Sequence, residues 1–191
     1  MATVKCALYL RVFLASTVLA ALCELPNMSG AATPPPAGGA NQRASVEGCM
    51  GETLFNGVWR LKVISSGLQT NPDDPDYKNW AVTLELRNGK NAQNSPTDSG
   101  FQDYPQLAFA DDTVLDMETT TAKVQYQKAI FYKSLPPGGV ARTTLFYRLP
   151  DEDAGKSPTK LLIAIKRTDF GKTFGYTVTD PSFRVRLDCT K

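Results

Sequence analysis

Hydrophobic and polar residues alternate along most of this chain with a period of two. In the segment 58–63, Trp59, Leu61 and Val63 share one face, and Arg60 and Lys62 share the other. The same alternation sets Trp80, Val82, Leu84 and Leu86 against Thr83, Glu85 and Arg87, and Val124 and Tyr126 against Lys123, Gln125 and Gln127. It recurs at Thr143, Leu145, Tyr147 and Leu149, at Leu161, Ile163 and Ile165, and at Phe183, Val185 and Leu187 between Arg184, Arg186 and Asp188. Neighbouring side chains of an extended strand point to opposite faces, so each pattern predicts a half-buried strand of an antiparallel sheet. No segment sustains apolar positions at i, i+3, i+4 and i+7 over three turns, so no helix is expected. Turn formers separate the runs: Asn56-Gly57, the Asn71-Pro72-Asp73-Asp74-Pro75-Asp76 stretch, Asn88-Gly89, Asp111-Asp112 and Pro136-Pro137-Gly138-Gly139.

The pattern predicts an all-β fold, an antiparallel β-sandwich of about seven to nine strands. A closed barrel satisfies the same alternation and stays open as the competing arrangement. The folded domain is expected over residues 46–191.

The start of the chain reads differently. Lys5 and Arg11 precede an apolar run of about a dozen residues, a length that suits a signal-peptide core and is short for a membrane span. Small residues around Ala31 suit a signal peptidase, so residues 1–31 are expected to be a cleaved signal peptide. Cys23 offers lipid attachment as an alternative, although Leu22 before it is larger than that signal wants. Residues 32–45, rich in Pro, Gly and small side chains, read as a disordered linker. No later run is long enough to cross a membrane as a helix. Together these features imply a secreted or periplasmic protein.

Composition narrows the chemistry. The 191 residues include no histidine and carry a formal net charge of +2. Histidine triads, histidine metal sites and histidine proton shuttles are therefore excluded, and a near-neutral chain argues against a dedicated nucleic-acid binder. Of four cysteines, Cys6 and Cys23 fall in the leader, which leaves Cys49 and Cys189 at the two ends of the domain. Cys189 continues the inward Phe183–Val185–Leu187 face. In an oxidising compartment the pair is expected to join, closing a loop of about 140 residues. Two buried thiols are the alternative.

Other candidates are weaker. Asn71, Asp73, Asp74 and Asp76 form an oxygen-rich stretch that could contribute calcium ligands, but two prolines and the lack of a twelve-residue loop favour an ordinary turn. Glu85, Asp103 and Glu118 could supply a carboxylate pair for glycoside hydrolysis, with nothing to fix their separation. Tyr77, Phe101 and Tyr104 lie in loops and are the candidate ligand-contacting aromatics, whereas Trp59 and Trp80 lead inward faces and read as core. Lys160, Lys166, Arg167, Arg184, Arg186 and Lys191 gather positive charge near the C-terminus, where an anionic surface could dock.

Four stretches carry a resemblance. These are the segment from Gly51 to Val63, the strand from Trp80 to Gly89, the segment from Leu135 through Pro136-Pro137-Gly138-Gly139 to Pro150, and the segment from Thr159 to Ile165. In this order they resemble the immunoglobulin-like domain of unknown function of bacterial secreted proteins and lipoproteins, the group of the mycobacterial secreted immunoprotective antigen. The resemblance implies an immunoglobulin-like sandwich outside the cytoplasm and supplies no catalytic residues. Asp111-Asp112 stands where Asp-Gly is commoner, and the terminal cysteines are not general in that group. The function expected is a binding or interaction module at the cell envelope, not an enzyme and without a cofactor, with an unknown protein or glycan as partner. A carbohydrate-active or metal-dependent enzyme and a purely structural envelope component remain the alternatives.

Overall fold

In the computed structural model of the protein, residues 45–102 and 104–190 are described. The expected signal peptide, all of the expected linker except Ser45, and Asp103 lie outside the described residues. The alternating segments form strands: β1 (Val46–Met50), β2 (Thr53–Phe55), β3 (Trp59–Asn71), β4 (Asp74–Asn88), β5 (Gln106–Ala108), β6 (Val114–Leu115), β7 (Val140–Arg148), β8 (Lys160–Ile163), β9 (Thr168–Asp169), β10 (Lys172–Thr173) and β11 (Phe183–Thr190). Nine of them make two sheets, ordered β1-β11-β8-β5-β6 and β2-β3-β4-β7, while β9 and β10 pair as a separate hairpin. This is the β-sandwich that the period of two predicts.

Register explains the core. On the four-stranded sheet Leu54 pairs with Leu61, Leu61 with Leu86 and Leu86 with Ala141, a buried row across all four strands. On the five-stranded sheet Leu107 pairs with Leu161 and Leu161 with Val185, also buried. Apolar rows on both sheets belong to one core cluster, and each large side chain removed from water contributes roughly 1.5–3 kcal/mol. Trp59 is fully buried in it and donates from its indole nitrogen to Ser99 Oγ at 2.8 Å. Trp80 is only half-buried, packed against the core, with its indole nitrogen donating to Ser66 Oγ at 2.7 Å.

Two buried asparagines hold the turns at the Trp59 end of β3. Asn56 accepts from the amides of Val58 and Trp59 and donates to the Pro181 carbonyl. Asn88 donates to the carbonyls of Ala92 and Leu135 and accepts from the Lys90 amide. A buried carboxamide with all its partners is inexpensive, and one without them is not.

One pairing departs from an all-antiparallel sheet. β1 runs parallel to β11, with Val46 opposite Phe183 and Cys49 opposite Arg186. A register shift beyond Cys49 brings it to Cys189, and the two form a disulfide with Cα atoms 5.3 Å apart. That separation lies within the range a disulfide can span. The bridge ties the first strand to the last across 140 residues.

The strand expected around Val124 and Tyr126 is not a strand. Residues Thr120–Tyr126 form α1, followed by a π-helical turn at Gln127–Phe131. Thr119 caps the helix by accepting from the Ala122 amide at 3.2 Å. The buried side chains are Ala122, Tyr126 and Ile130, a spacing of four that stacks them on one helix face. Val124, assigned inward by the alternation, is 38% exposed. Two alternating apolar residues were too few to tell a strand from a helix.

Candidate functional site

The start of the helix and the β3–β4 hairpin together build a groove that three of the sequence candidates, Asn71, Asp73 and Asp74, line. β3 and β4 are long, and Pro72 and Asp73 form the tip between them. Asn71 Oδ1 accepts from the Asp73 amide, which closes the turn. Asp74 then receives the guanidinium of Arg148, the last residue of β7, in a two-pronged ion pair with contacts of 2.8–3.0 Å. The same guanidinium lies 3.5 Å from the centre of the Tyr77 ring. Gln125 on α1 donates to Asp73 Oδ2 at 2.6 Å, which joins the hairpin tip to the helix.

These bonds commit three of the four weak calcium candidates to partners within the protein. Asp74 is committed to Arg148, Asp73 to Gln125, and Asn71 to its own turn. Asp76 lines a different groove from the one that Asn71, Asp73 and Asp74 line. The four side chains do not converge on one point, and among the described residues no three His, Cys, Asp or Glu side chains are grouped to hold a metal.

The aromatic candidates separate. Phe101 is a core residue, 5% exposed, packed edge-on against Trp59 at 6.0 Å between ring centres. Gly100, at φ +84°, turns the chain, and Phe101 then pairs with Ile165. Phe101 is therefore not a surface contact. Tyr77 is 50% exposed but lies under Arg148. Tyr77 lines the open groove that Asp76 also lines, whereas Tyr104 lines a smaller pocket walled mainly by aromatic rings.

That pocket, about 140 Å3, is lined by Tyr104, Tyr126, Gln127 and Phe131. The Tyr132 amide bonds to the Gln127 carbonyl, an i to i−5 spacing that widens the turn, and Gln127 and Phe131 line the same hollow. Gln127 donates to the Tyr104 hydroxyl at 2.9 Å. The rings of Tyr104 and Tyr126 meet edge-on at 5.9 Å, and those of Tyr126 and Phe131 lie tilted at 38° with centres 6.1 Å apart. Lys123 lies 5.5 Å from the centre of the Tyr104 ring.

Tyr126 is 2% exposed, and its hydroxyl has no hydrogen-bond partner among the described residues. Burial, and secondarily the neighbouring Tyr104, push its ionisation far above the ordinary phenol range, so it stays neutral. Tyr147 behind it donates to the Pro105 carbonyl at 3.0 Å, and burial likewise keeps it neutral. The pocket thus offers ring faces, a carboxamide and neutral hydroxyls. Tyr126, Gln127, Phe131 and Arg148 were not singled out from the sequence as site residues. The Ala122–Tyr126–Ile130 spacing behind a capping threonine was the signal that could have found the first three.

Of the remaining charged candidates, Glu85, Arg184 and Arg186 have partners. Glu85 lies on an outward strand face with Arg142 at 2.9 Å and Arg87 at 3.6 Å, and the Arg142 hydrogen bond leads in holding its carboxyl below the usual range. Glu118 is exposed. Arg184 pairs with Glu47 and Arg186 with Asp188, so these two strand cations are balanced locally.

No family model matches this chain, and no curated protein matches it. Among solved structures, it is similar to an uncharacterized β-sandwich protein from Clostridium difficile 630, with a TM-score of 0.46 and 9% identity over 77% of this chain and 97% of that one. It is also similar to a candidate lipoprotein from Staphylococcus aureus subsp. aureus NCTC 8325, with a TM-score of 0.39 and 14% identity over 73% of this chain and 91% of that one. Both are likenesses of fold. The sheets described above bear out the resemblance read from the sequence as far as a β-sandwich, and not to the mycobacterial antigen-like group.

Proposed function

We propose that the protein is a non-catalytic binding module that works outside the cytoplasm, at the cell envelope. Its pocket at Tyr104, Tyr126, Gln127 and Phe131 takes one ring of a neutral, hydroxyl-rich ligand, such as a single sugar residue of a glycan. The lining carries the proposal: three aromatic rings and a carboxamide, with no carboxylate or ammonium group among them. Aromatic faces bind the apolar side of a sugar ring, and Gln127 with the tyrosine hydroxyls can exchange hydrogen bonds with its hydroxyls. The unpartnered Tyr126 hydroxyl gains from any group that supplies a partner. Lys123 beside Tyr104 disfavours a cationic ligand. The volume admits one ring and not a larger molecule. The Cys49–Cys189 bridge supports an oxidising compartment, and the apolar leader supports export.

The test is calorimetric titration of the full chain with a panel of monosaccharides, neutral oligosaccharides and soluble cell-wall fragments. Binding by at least one saccharide, weakened about tenfold or more by Tyr104→Ala, is the expected result. No binding across the panel overturns the sugar assignment. Release of new reducing ends from a bound oligosaccharide overturns the non-catalytic one.

A further inference from the structure

The short β9–β10 hairpin projects a side chain that its own backbone disfavours. Phe170 and Gly171 form the two-residue turn, at φ +44° and +78°. This is the left-handed turn that twisted hairpins prefer, and its first position ordinarily belongs to Asn, Asp or Gly. A bulky residue there is an outlier that costs about 1–2 kcal/mol. Phe170 is also 101% exposed, the most exposed of the large hydrophobic residues among those described. Single exposed apolar residues are common, but an exposed ring held in a costly backbone state is not.

Its surroundings are cationic. Lys166, Arg167 and Lys172 are exposed and stand in no ion pair with any described residue. Asp169, half-buried beside Phe170, and Asp180 at the hairpin's root are the acids nearby in the chain. A groove of about 360 Å3 at that root is lined by Lys166, Arg167, Thr168 and Asp180 among others. The hairpin is also firmly seated. Phe174 and Tyr176 after β10 are buried and meet edge-on, and the Tyr176 hydroxyl donates to the Ser99 carbonyl.

We infer that the β9–β10 hairpin is a docking finger for an anionic phospholipid surface. Phe170 enters the interfacial layer, and Lys166, Arg167 and Lys172 engage headgroup phosphates. Aromatic rings favour the water–lipid boundary, and each cation near an anionic surface strengthens attachment by about fivefold. A rigid root lets the ring present itself without loss of loop entropy. The inference is independent of whether the Tyr104 pocket binds a sugar.

The experiment uses the full chain carrying Phe170→Trp, so that the readout reports the finger and not the apolar leader. It is mixed with vesicles of zwitterionic lipid alone, or with one quarter anionic lipid, each with and without brominated acyl chains. The expected result is a blue shift and bromine quenching of the new indole on anionic vesicles. Changing Lys166, Arg167 and Lys172 together to Gln should lower affinity tenfold or more, and high salt should do the same. In otherwise unchanged protein, Phe170→Ser should weaken vesicle binding by at least tenfold. An emission unchanged on anionic vesicles overturns the inference. So does an equal, salt-insensitive shift on zwitterionic vesicles. A dimer seen by sedimentation without lipid and abolished by Phe170→Ser would assign the finger to a second copy of this chain instead.

Discussion

Two hairpins of this sandwich end in two-residue turns, and the chain treats them oppositely. The β3–β4 tip at Pro72 and Asp73 is tied down on every side, by Asn71 within the turn, by Gln125 from α1, and by Arg148 through Asp74. Its tyrosine, Tyr77, lies against the Arg148 guanidinium. The β9–β10 hairpin has comparable ingredients, an aromatic and three cations, but Phe170 stands fully exposed and none of the cations has an ion-pair partner among the described residues, Lys172 lying only over the Phe174 ring. Charge and ring cancel one another at the first tip and are presented outward at the second. A polar cluster that satisfies itself is architecture, whereas one left unsatisfied at a strained backbone position indicates function.

The largest expected effect tests the frame that both hairpins share. Replacing Cys49 and Cys189 together by Ser should cost roughly 4–5 kcal/mol in the chain-entropy account of a 140-residue loop, read as a lowered denaturant midpoint. Hydrogen exchange should rise at both hairpins together. A rise confined to one would show that the bridge serves a local purpose.

Arg148→Met should break the contrast at the first tip. It strands the Asp74 carboxylate, whose side chain is 16% exposed, and should cost about 1–2 kcal/mol. Exchange protection should fall from Asn71 to Asp76 while residues 168–173 keep theirs. An equal loss at both hairpins would mean the two are not independent.

Phe170→Asn should move stability the other way. Relieving a bulky residue of its left-handed backbone should raise the unfolding free energy by about 1 kcal/mol. A variant less stable than its parent would remove the argument from strain.

The smallest effect sharpens the comparison with a third turn, between β5 and β6. The Asp111 carboxyl is held down from 3.8 to about 2, first by the Thr113 hydroxyl, then by its amide, with Lys156 adding to both. A folded pKa below the unfolded one stabilises the fold above the unfolded value and loses that effect as pH falls through the folded one. The parent should therefore exceed Asp111→Asn in melting temperature above pH 3.8, and the gap should close as pH drops toward about 2. The gap should be small, because the side chain is half-exposed. A gap that persists at pH 2 would mean that shape and not charge sets this turn.

Most of the sandwich could be read from alternation, because strands such as β3, β4 and β7 bury one face and wet the other over many residues. The disulfide was legible for a related reason, since Cys189 continues an inward face. The helix was not, because its buried positions include a small alanine, and the Thr120–Thr121 pair gives no helical signal. The site was half legible. Tyr104 stood out as a loop aromatic, but its partners Tyr126, Gln127 and Phe131 come from the misread helix. Phe101 looked alike in sequence and went to the core, because Gly100 turns the chain beneath it. Local composition does not encode such a reversal.

The parallel pairing of β1 with β11 sets an order of events. A nascent chain emerges with β1 first and must wait for the final residues before that strand has its neighbour. Until then the edge of β8 that β11 will cover is open, and Cys49 has no correct partner. Assembly of the five-stranded sheet is thus gated by completion of the chain, and contacts of such long sequence separation make it slow. The cell must shield an unfinished sheet edge in the interval, and an oxidant acting too early can only join Cys49 to the wrong thiol.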